Sequence, residues 1–122
     1  MKSLKVLVID DEEIICSACR LVICEKGHKV DLHTTGKSGL LAAEQGQYDL
    51  ILLDMKLPDL DGMEILKVIG EKRPAPSVIV MTGYSTMSNA IQAMKMGAVD
   101  YLAKPFTDDE LIEAIEQVFS DK

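Results

Sequence analysis

The chain has 122 residues and a formal charge of −7, with 13 Lys and Arg against 20 Asp and Glu. That length fits one domain, 1–122, and 48% apolar residues can fill a core without a disulfide or metal staple. The acidity repels nucleic acid and anionic lipid, and no apolar run reaches the roughly 18 residues of a membrane span, so neither DNA nor a bilayer is an expected partner.

Met1-Lys2-Ser3 leads straight into a strand-like segment over about 4–9, without the apolar region and cleavage site of a signal peptide, which points to the cytoplasm. The strand ends at Asp10-Asp11, and a helical pattern follows over about 12–26. This helix carries Cys16, Cys19 and Cys24. Cys16-Ser-Ala-Cys19, with Cys24 and His28 beyond it, has the spacing of a metal or redox site. Three is an odd number, however, and redox pairs sit at a helix start, whereas Cys19 lies about two turns in; small buried hydrophobes are the simpler reading. A strand at about 29–33, a helix at about 36–46 and an apolar strand at about 49–53 come next, the last ending on Asp54. A loop with Pro58 and Asp61-Gly62 opens a helix over about 62–71, and Pro74 and Pro76 separate it from a strand at about 77–81 that ends on Thr82. Ser85 is a candidate N-cap for a helix over about 85–96, and a strand at about 99–102 runs into Lys104-Pro105. The final helix, about 107–120, opens with a capping box, Thr107 and Glu110, and carries the stripe Leu111, Ile112, Ile115, Val118, Phe119. Its acids Asp108, Asp109, Glu110, Glu113 and Glu116 read as a solvated face. Gly27, Gly46, Gly70 and Gly97 fall near helix ends, where a left-handed cap is wanted.

Five βα units in succession predict an α/β fold: a five-stranded parallel sheet between two helical layers, with order 2-1-3-4-5, a flavodoxin-like three-layer sandwich. Ligands in such sheets bind beyond the carboxyl ends of strands 1 and 3, where Asp10, Asp11 and Asp54 fall. Thr82 and Lys104 end strands 4 and 5, so all four groups are predicted to emerge on one edge.

The first turn, Ile9-Asp10-Asp11-Glu12-Glu13, contains no glycine and therefore neither a dinucleotide fingerprint nor a phosphate-cradling loop. It presents carboxylates, which bind a cation first. Crowded carboxylates retain a proton or take up a cation, and hard oxygen ligands favour Mg²⁺; zinc would want His or Cys, which are not expected near these strand ends. Asp54, alone after an apolar strand, is placed to act as a nucleophile toward phosphorus, with Lys104 neutralising charge and Thr82 donating a hydrogen bond. Taken singly, each residue has a plain reading as a cap, turn or surface residue; the set carries the argument.

The segments Val8-Ile9-Asp10-Asp11-Glu12, Asp54-Met55-Lys56-Leu57-Pro58-Asp59-Leu60-Asp61-Gly62, Met81-Thr82-Gly83-Tyr84 and Gly97-Ala98-Val99-Asp100-Tyr101-Leu102-Ala103-Lys104-Pro105-Phe106 resemble, in order, the receiver domains of two-component response regulators. The stretch from Ala93 to Tyr101 looks most like receivers attached to AAA+ transcription activators. The resemblance implies a phosphoacceptor at Asp54 and Mg²⁺ held by Asp10 and Asp11, with Asp11 favoured as the direct ligand, together with Asp54 and the Lys56 carbonyl. It implies a Lys104 that contacts the phosphoryl group and precedes a cis bond to Pro105, and a switch pair, Thr82 and Tyr101. It sets Lys56 and Tyr84 beside the phosphoryl group, where they would affect its lifetime. A sensor histidine kinase or phosphotransfer protein would be the donor. An output domain or downstream protein, or a second copy in a homodimer, would read the face of the fourth helix, fifth strand and fifth helix, in a pathway of transcription regulation. A single-domain regulator and a receiver excised from a longer protein both fit. Such a protein is not an enzyme acting on other molecules; it assists only its own phosphorylation and dephosphorylation. A metal-dependent phosphohydrolase could use the same acids but usually carries a second Asp where Lys56 stands, and a phosphorylation-independent interaction module would need no Mg²⁺.

Overall fold

A computed structural model of the chain describes residues 3–83 and 87–120. Strands and helices alternate: β1 (Lys5–Ile9), α1 (Glu13–Glu25), β2 (Lys29–His33), α2 (Gly36–Gln45), β3 (Leu50–Asp54), α3 (Gly62–Gly70), β4 (Ser77–Thr82), α4 (Met87–Lys95), β5 (Asp100–Ala103) and α5 (Asp108–Phe119). The strands form one parallel sheet in the order β2-β1-β3-β4-β5, as the succession of βα units predicts. None of the described helices is long and apolar enough to cross a membrane.

The continuous apolar runs of β1, β3 and β4 reflect burial on both sides, since successive side chains of a strand point to opposite faces. Val6, Val8, Leu50, Leu52, Ile79, Met81 and Leu102 pack on one face against Cys16, Cys19 and Ile23 of α1 and Leu111, Ala114 and Ile115 of α5. Leu7, Ile9, Ile51, Leu53, Val78 and Val80 pack on the other against Ala43 of α2, Ile65, Leu66 and Ile69 of α3 and Ala93 of α4. The edge strands β2 and β5 are only partly covered.

Side chains cap the starts of α2, α3 and α5, the last by the predicted capping box. Thr35 Oγ1 accepts from Ser38 N, Asp61 Oδ1 from Met63 N, and the Thr107–Glu110 capping box is complete. The Ser85 cap lies outside the described residues. The glycine caps divide. Gly27 and Gly97 have φ of +88° and +111°, as a left-handed cap requires, but Gly46 is extended (φ −96°) and Gly70 is the last residue of α3 itself. Gly46 lies against the Tyr48 ring, and Lys72 Nζ donates to the carbonyls of Glu44 and Gly46, doing by side chain what a left-handed residue would do by backbone. In α5 the buried face includes Ala114 and leaves Ile112 half-buried, because the helix also packs against α1.

Both C-x-x-C cysteines are core residues. Cys16 and Cys19 are buried, and burial lifts their thiols to about 11 and about 12, well above the range of a reactive or metal-binding thiolate. Cys24 is exposed, and His28 uses Nδ1 to accept from Leu4 N, so the four residues do not form a site.

Helix α2 approaches β1 so closely that a Cβ at Gly39 would lie 2.6–2.8 Å from three atoms of Ile9. Gly39→Ala therefore gains helix propensity of about 1 kcal/mol yet forces the helix off the sheet, with overpacking typically worth about 1–3 kcal/mol. We expect a net loss of stability in urea unfolding. In contrast, Gly70→Ala, with no atom within 4 Å of the new Cβ and no positive φ, should leave stability unchanged or higher.

Candidate functional site

Register aligns the polar residues at the carboxyl edge of the sheet. Ile9 pairs with Leu53, so Asp10 and Asp54 are the next residues in step on adjacent strands. Thr82 pairs with Ala103, and Lys104 is one residue beyond. Lys104 N donates to Thr82 O at 2.6 Å, and the Lys104–Pro105 peptide is cis. A second cis bond, Arg73–Pro74, lies at the opposite end of the sheet, ahead of β4.

The Lys104 ammonium is the centre of the cluster. Its Nζ lies 2.7 Å from Asp10 Oδ2, 2.9 Å from Glu12 Oε1 and 3.4 Å from Asp54 Oδ2. Of these, the contact with Glu12 has clear hydrogen-bond geometry, whereas Asp10 Oδ2 pairs with the ammonium as an ion pair and has no other partner among the described residues. Asp10 is fully buried, and its other oxygen accepts from Glu12 N at 2.9 Å. Asp54 is 5% exposed and accepts from Lys56 N at 3.0 Å. Burial pushes the Asp54 carboxyl up to about 6, reinforced by the charge of Asp10 and opposed by the Lys56 amide and Lys104. Burial works against the Lys104 charge, but its carboxylate partners more than reverse this and hold its ammonium above the usual lysine value.

Carboxylate oxygens of Asp10, Glu12 and Asp54 lie within 4.8 Å of one another, an all-oxygen set suited to a hard cation. Glu12 is the member that sequence reasoning did not single out. Asp11, which it did, is exposed and outside this triad; it lines an open groove with Lys56, Leu57, Pro58, Asp59 and Asp61. The expectation that no His or Cys lies nearby needs correction: β2 ends on His33, whose carbonyl accepts from Asp10 N, and Cys16 Sγ donates to Asp10 O at 3.2 Å. Both contacts use the backbone of the partner residue, and neither side chain joins the oxygen cluster.

The loop carrying Lys56 is closed on itself and fastened outward. Lys56 and Asp61 form an isolated bridge, and Gly62 sits so close to Met55 that a Cβ would lie 2.7 Å from its Cα. Asp59 accepts from the Gly36 and Lys37 amides at 2.7 and 2.9 Å, and these two bonds hold its carboxyl below the usual range. Thr82 is buried and its Oγ1 has no hydrogen-bond partner among the described residues. Tyr101, in β5, is 40% exposed, and Ile91 and Met94 of α4 and Met96 and Val99 in the turn that follows it are exposed as well. Tyr84 lies outside the described residues.

Residues 6–116 match the sequence model of the response regulator receiver domain. The chain is 35% identical over 111 residues to the transcriptional regulatory protein PcoR of Escherichia coli, covering 91% of this chain and 49% of PcoR. It is 33% identical to ZraR of Escherichia coli K12 (97% of this chain, 27% of ZraR) and to FixJ of Rhizobium meliloti (96% and 57%). It therefore spans between about a quarter and somewhat over half of these relatives. Among solved structures, a CheY-like receiver domain protein from Methanospirillum hungatei JF-1 superposes with a TM-score of 0.89 at 30% identity, covering 96% of this chain and 94% of that one. NtrX of Brucella abortus superposes with a TM-score of 0.88 at 30% identity, over 95% of this chain and 26% of NtrX. With the family match over nearly its whole length and the β2-β1-β3-β4-β5 sheet in place, the chain belongs to the response regulator receiver domains.

Proposed function

We propose that the domain is a phosphorylation-driven switch whose acceptor is Asp54, loaded by a histidine kinase or phosphotransfer protein and read by an output domain or partner in transcription regulation. The observation that carries this reading is the Lys104 ammonium held among Asp10, Glu12 and Asp54 at the carboxyl edge of the sheet. An Asp54 oxygen attacks phosphorus, the bond from phosphorus to the donor imidazole nitrogen breaks, and the nitrogen keeps the electron pair. The remaining work is positioning and charge neutralisation, which Lys104 supports from one side. The domain acts on no other substrate. Its relatives' roles as transcriptional regulators, and a cytoplasmic setting, are consistent with this use.

The pocket fits a divalent cation. Its donors are hard oxygens, one ammonium leaves the three carboxylates with excess negative charge, and Asp10 Oδ2 lacks a well-aligned hydrogen bond. Asp10 and Asp54 would hold Mg²⁺, with Asp11 and the Lys56 carbonyl contributing from the adjoining groove. Bound there, the ion supplies neutralisation of the phosphoryl oxygens. Thr82 offers a buried hydroxyl without a partner among the described residues, available to a phosphoryl oxygen, and Tyr101 has an exposed ring able to follow it inward. The apolar α4–β5 surface around Tyr101, bordered by a groove with Asp100, Glu110 and Glu113, is where partner or homodimer contacts would respond.

Acetyl phosphate with Mg²⁺ should add one phosphate to the chain, read as intact mass, and Asp54→Ala should gain none; equal gain by the variant would remove Asp54 from the role. Beryllofluoride should concentrate backbone chemical-shift changes, away from the site itself, in α4, β5 and α5, and changes confined to α1 and α2 would reject that face as the output.

The acceptor also makes a prediction in metal-free buffer. Its folded value, about 6, exceeds the unfolded value near 3.8, so the folded state holds the proton more tightly. The stability that this proton contributes is complete below the unfolded value and is lost as pH rises through about 6. Asp54→Asn, which never ionises, should therefore be the more stable form at pH 7.5 by about 3 kcal/mol, with the difference closing toward pH 4. Thermal melts across that range test it, and a constant difference would reject it.

A further inference from the structure

Glu12 occupies the N-cap of α1 but does not cap it. The cap residue has extended backbone (φ −89°, ψ 108°), its carbonyl accepts from Cys16 N, and its side chain makes no bond to the first turn of the helix. Glu is not among the residues that cap well from this position, so its longer side chain is free to reach elsewhere. Here the carboxylate reaches across to Lys104 Nζ, at 2.9 Å, in the best-aligned of the three ammonium contacts. Asp54 is the most distant of the three acids, at 3.4 Å. The ammonium of the resting site is therefore drawn toward Asp10 and Glu12 and away from the acceptor.

The same carboxylate stands close to where new charge arrives. Its oxygen lies within 4.8 Å of those of Asp10 and Asp54, so a phosphoryl group on Asp54 brings further negative charge beside it. Asp10 and Asp54 are buried and fixed, whereas the Glu12 side chain is 59% exposed and has a path to solvent. Taking Asp54 as the acceptor, we propose that Glu12 is a positioning residue that restrains Lys104 in the resting site and must swing away when Asp54 is phosphorylated, so that it slows phosphorylation and disfavours the phosphorylated form. The restraint acts through Lys104: the lysine gains freedom to follow the phosphoryl oxygens only as the Glu12 contact loosens.

Two variants of the full chain test this, Glu12→Gln, which keeps the shape without the charge, and Glu12→Ala; both should fold, because the side chain is exposed and caps nothing. In metal-free protein, the Lys104 ammonium resonance should exchange with water faster in both variants than in the parent. With acetyl phosphate, an Asp54 oxygen bonds to phosphorus as the phosphorus–oxygen bond to acetate breaks, and acetate leaves with the electron pair. At saturating Mg²⁺ this rate should rise about three-fold, the scale of losing one partly exposed charge contact, and beryllofluoride should bind more tightly. An unchanged ammonium exchange rate would overturn the restraint, and an unchanged or slower phosphorylation rate would overturn its consequence. If the parent itself took up no phosphate, the acceptor reading would fail instead, and the ammonium measurement would still judge the Glu12–Lys104 contact.

Discussion

One ammonium answers three carboxylates at the carboxyl edge of this sheet, and the arrangement is held from four separate strands. Asp10 follows β1, Asp54 ends β3, Thr82 ends β4 and Lys104 follows β5. A parallel sheet is the natural way to gather residues so far apart in the chain, because every strand delivers its end to the same edge. The charge balance there is incomplete, and burial disfavours the ionised form of Asp54, lifting its carboxyl to about 6. Such a pocket is unfavourable by itself and responsive to whatever positive charge enters it.

The rest of the molecule supplies the rigidity that keeps these charges together. Both faces of β1, β3 and β4 are sealed, with Val6, Val8, Leu50 and Leu52 toward α1 and α5 and Leu7, Ile9, Ile51 and Leu53 toward the other three helices. The loop after Asp54 is fixed by the close approach of Gly62 to Met55 and by Asp59 on the amides that open α2. The Asp59 carboxylate completes the capping of α2: Thr35 serves the Ser38 amide while Asp59 serves those of Gly36 and Lys37. Loop and helix thus share one hydrogen-bond network, and the position of Lys56 beside Asp54 depends on it.

Much of this was legible in the order of residues. Apolar runs ending on Asp10, Asp54, Thr82 and Lys104 are a one-dimensional signal, since a strand end is a position in sequence and a parallel sheet converts position into proximity. Thr107 with Glu110 was legible for the same reason, because a capping box is complete within four residues. Glu12 was not. Its role depends on which way a long side chain turns, and that is settled by a lysine on the far side of the sheet edge; nothing in Asp10-Asp11-Glu12 says which acid faces the cluster and which the groove. Gly46 and Gly70 failed as left-handed caps because Lys72, distant in sequence, satisfies the carbonyls at the end of α2, and because α3 runs through Gly70 itself. The cysteine spacing misleads in the opposite sense. Positions three apart on a helix share a face, and on α1 that face is the core, so Cys16 and Cys19 have metal-like spacing for a packing reason.

The distribution of unsatisfied polar atoms separates the site from its scaffold. Buried groups elsewhere find partners, as when His28 Nδ1 accepts from Leu4 N. Among the described residues, the buried side-chain oxygens without an aligned hydrogen bond are Asp10 Oδ2 and Thr82 Oγ1, and both lie at the carboxyl edge of the sheet. Asp10 Oδ2 is met by the Lys104 ammonium at 2.7 Å, whereas an unmet buried oxygen such as Thr82 Oγ1 is worth about 1–3 kcal/mol of lost stability, a large share of what a domain of this size retains. With a carboxyl lifted by burial beside it, this concentrates unfavourable terms at one edge of the sheet. A ligand that brings positive charge to the three carboxylates and an acceptor oxygen to Thr82 relieves both the excess charge and the unpaired hydroxyl. A phosphoryl group with its cation has that composition, which is why the site's free energy is so sensitive to the state of Asp54 on the reading proposed for it.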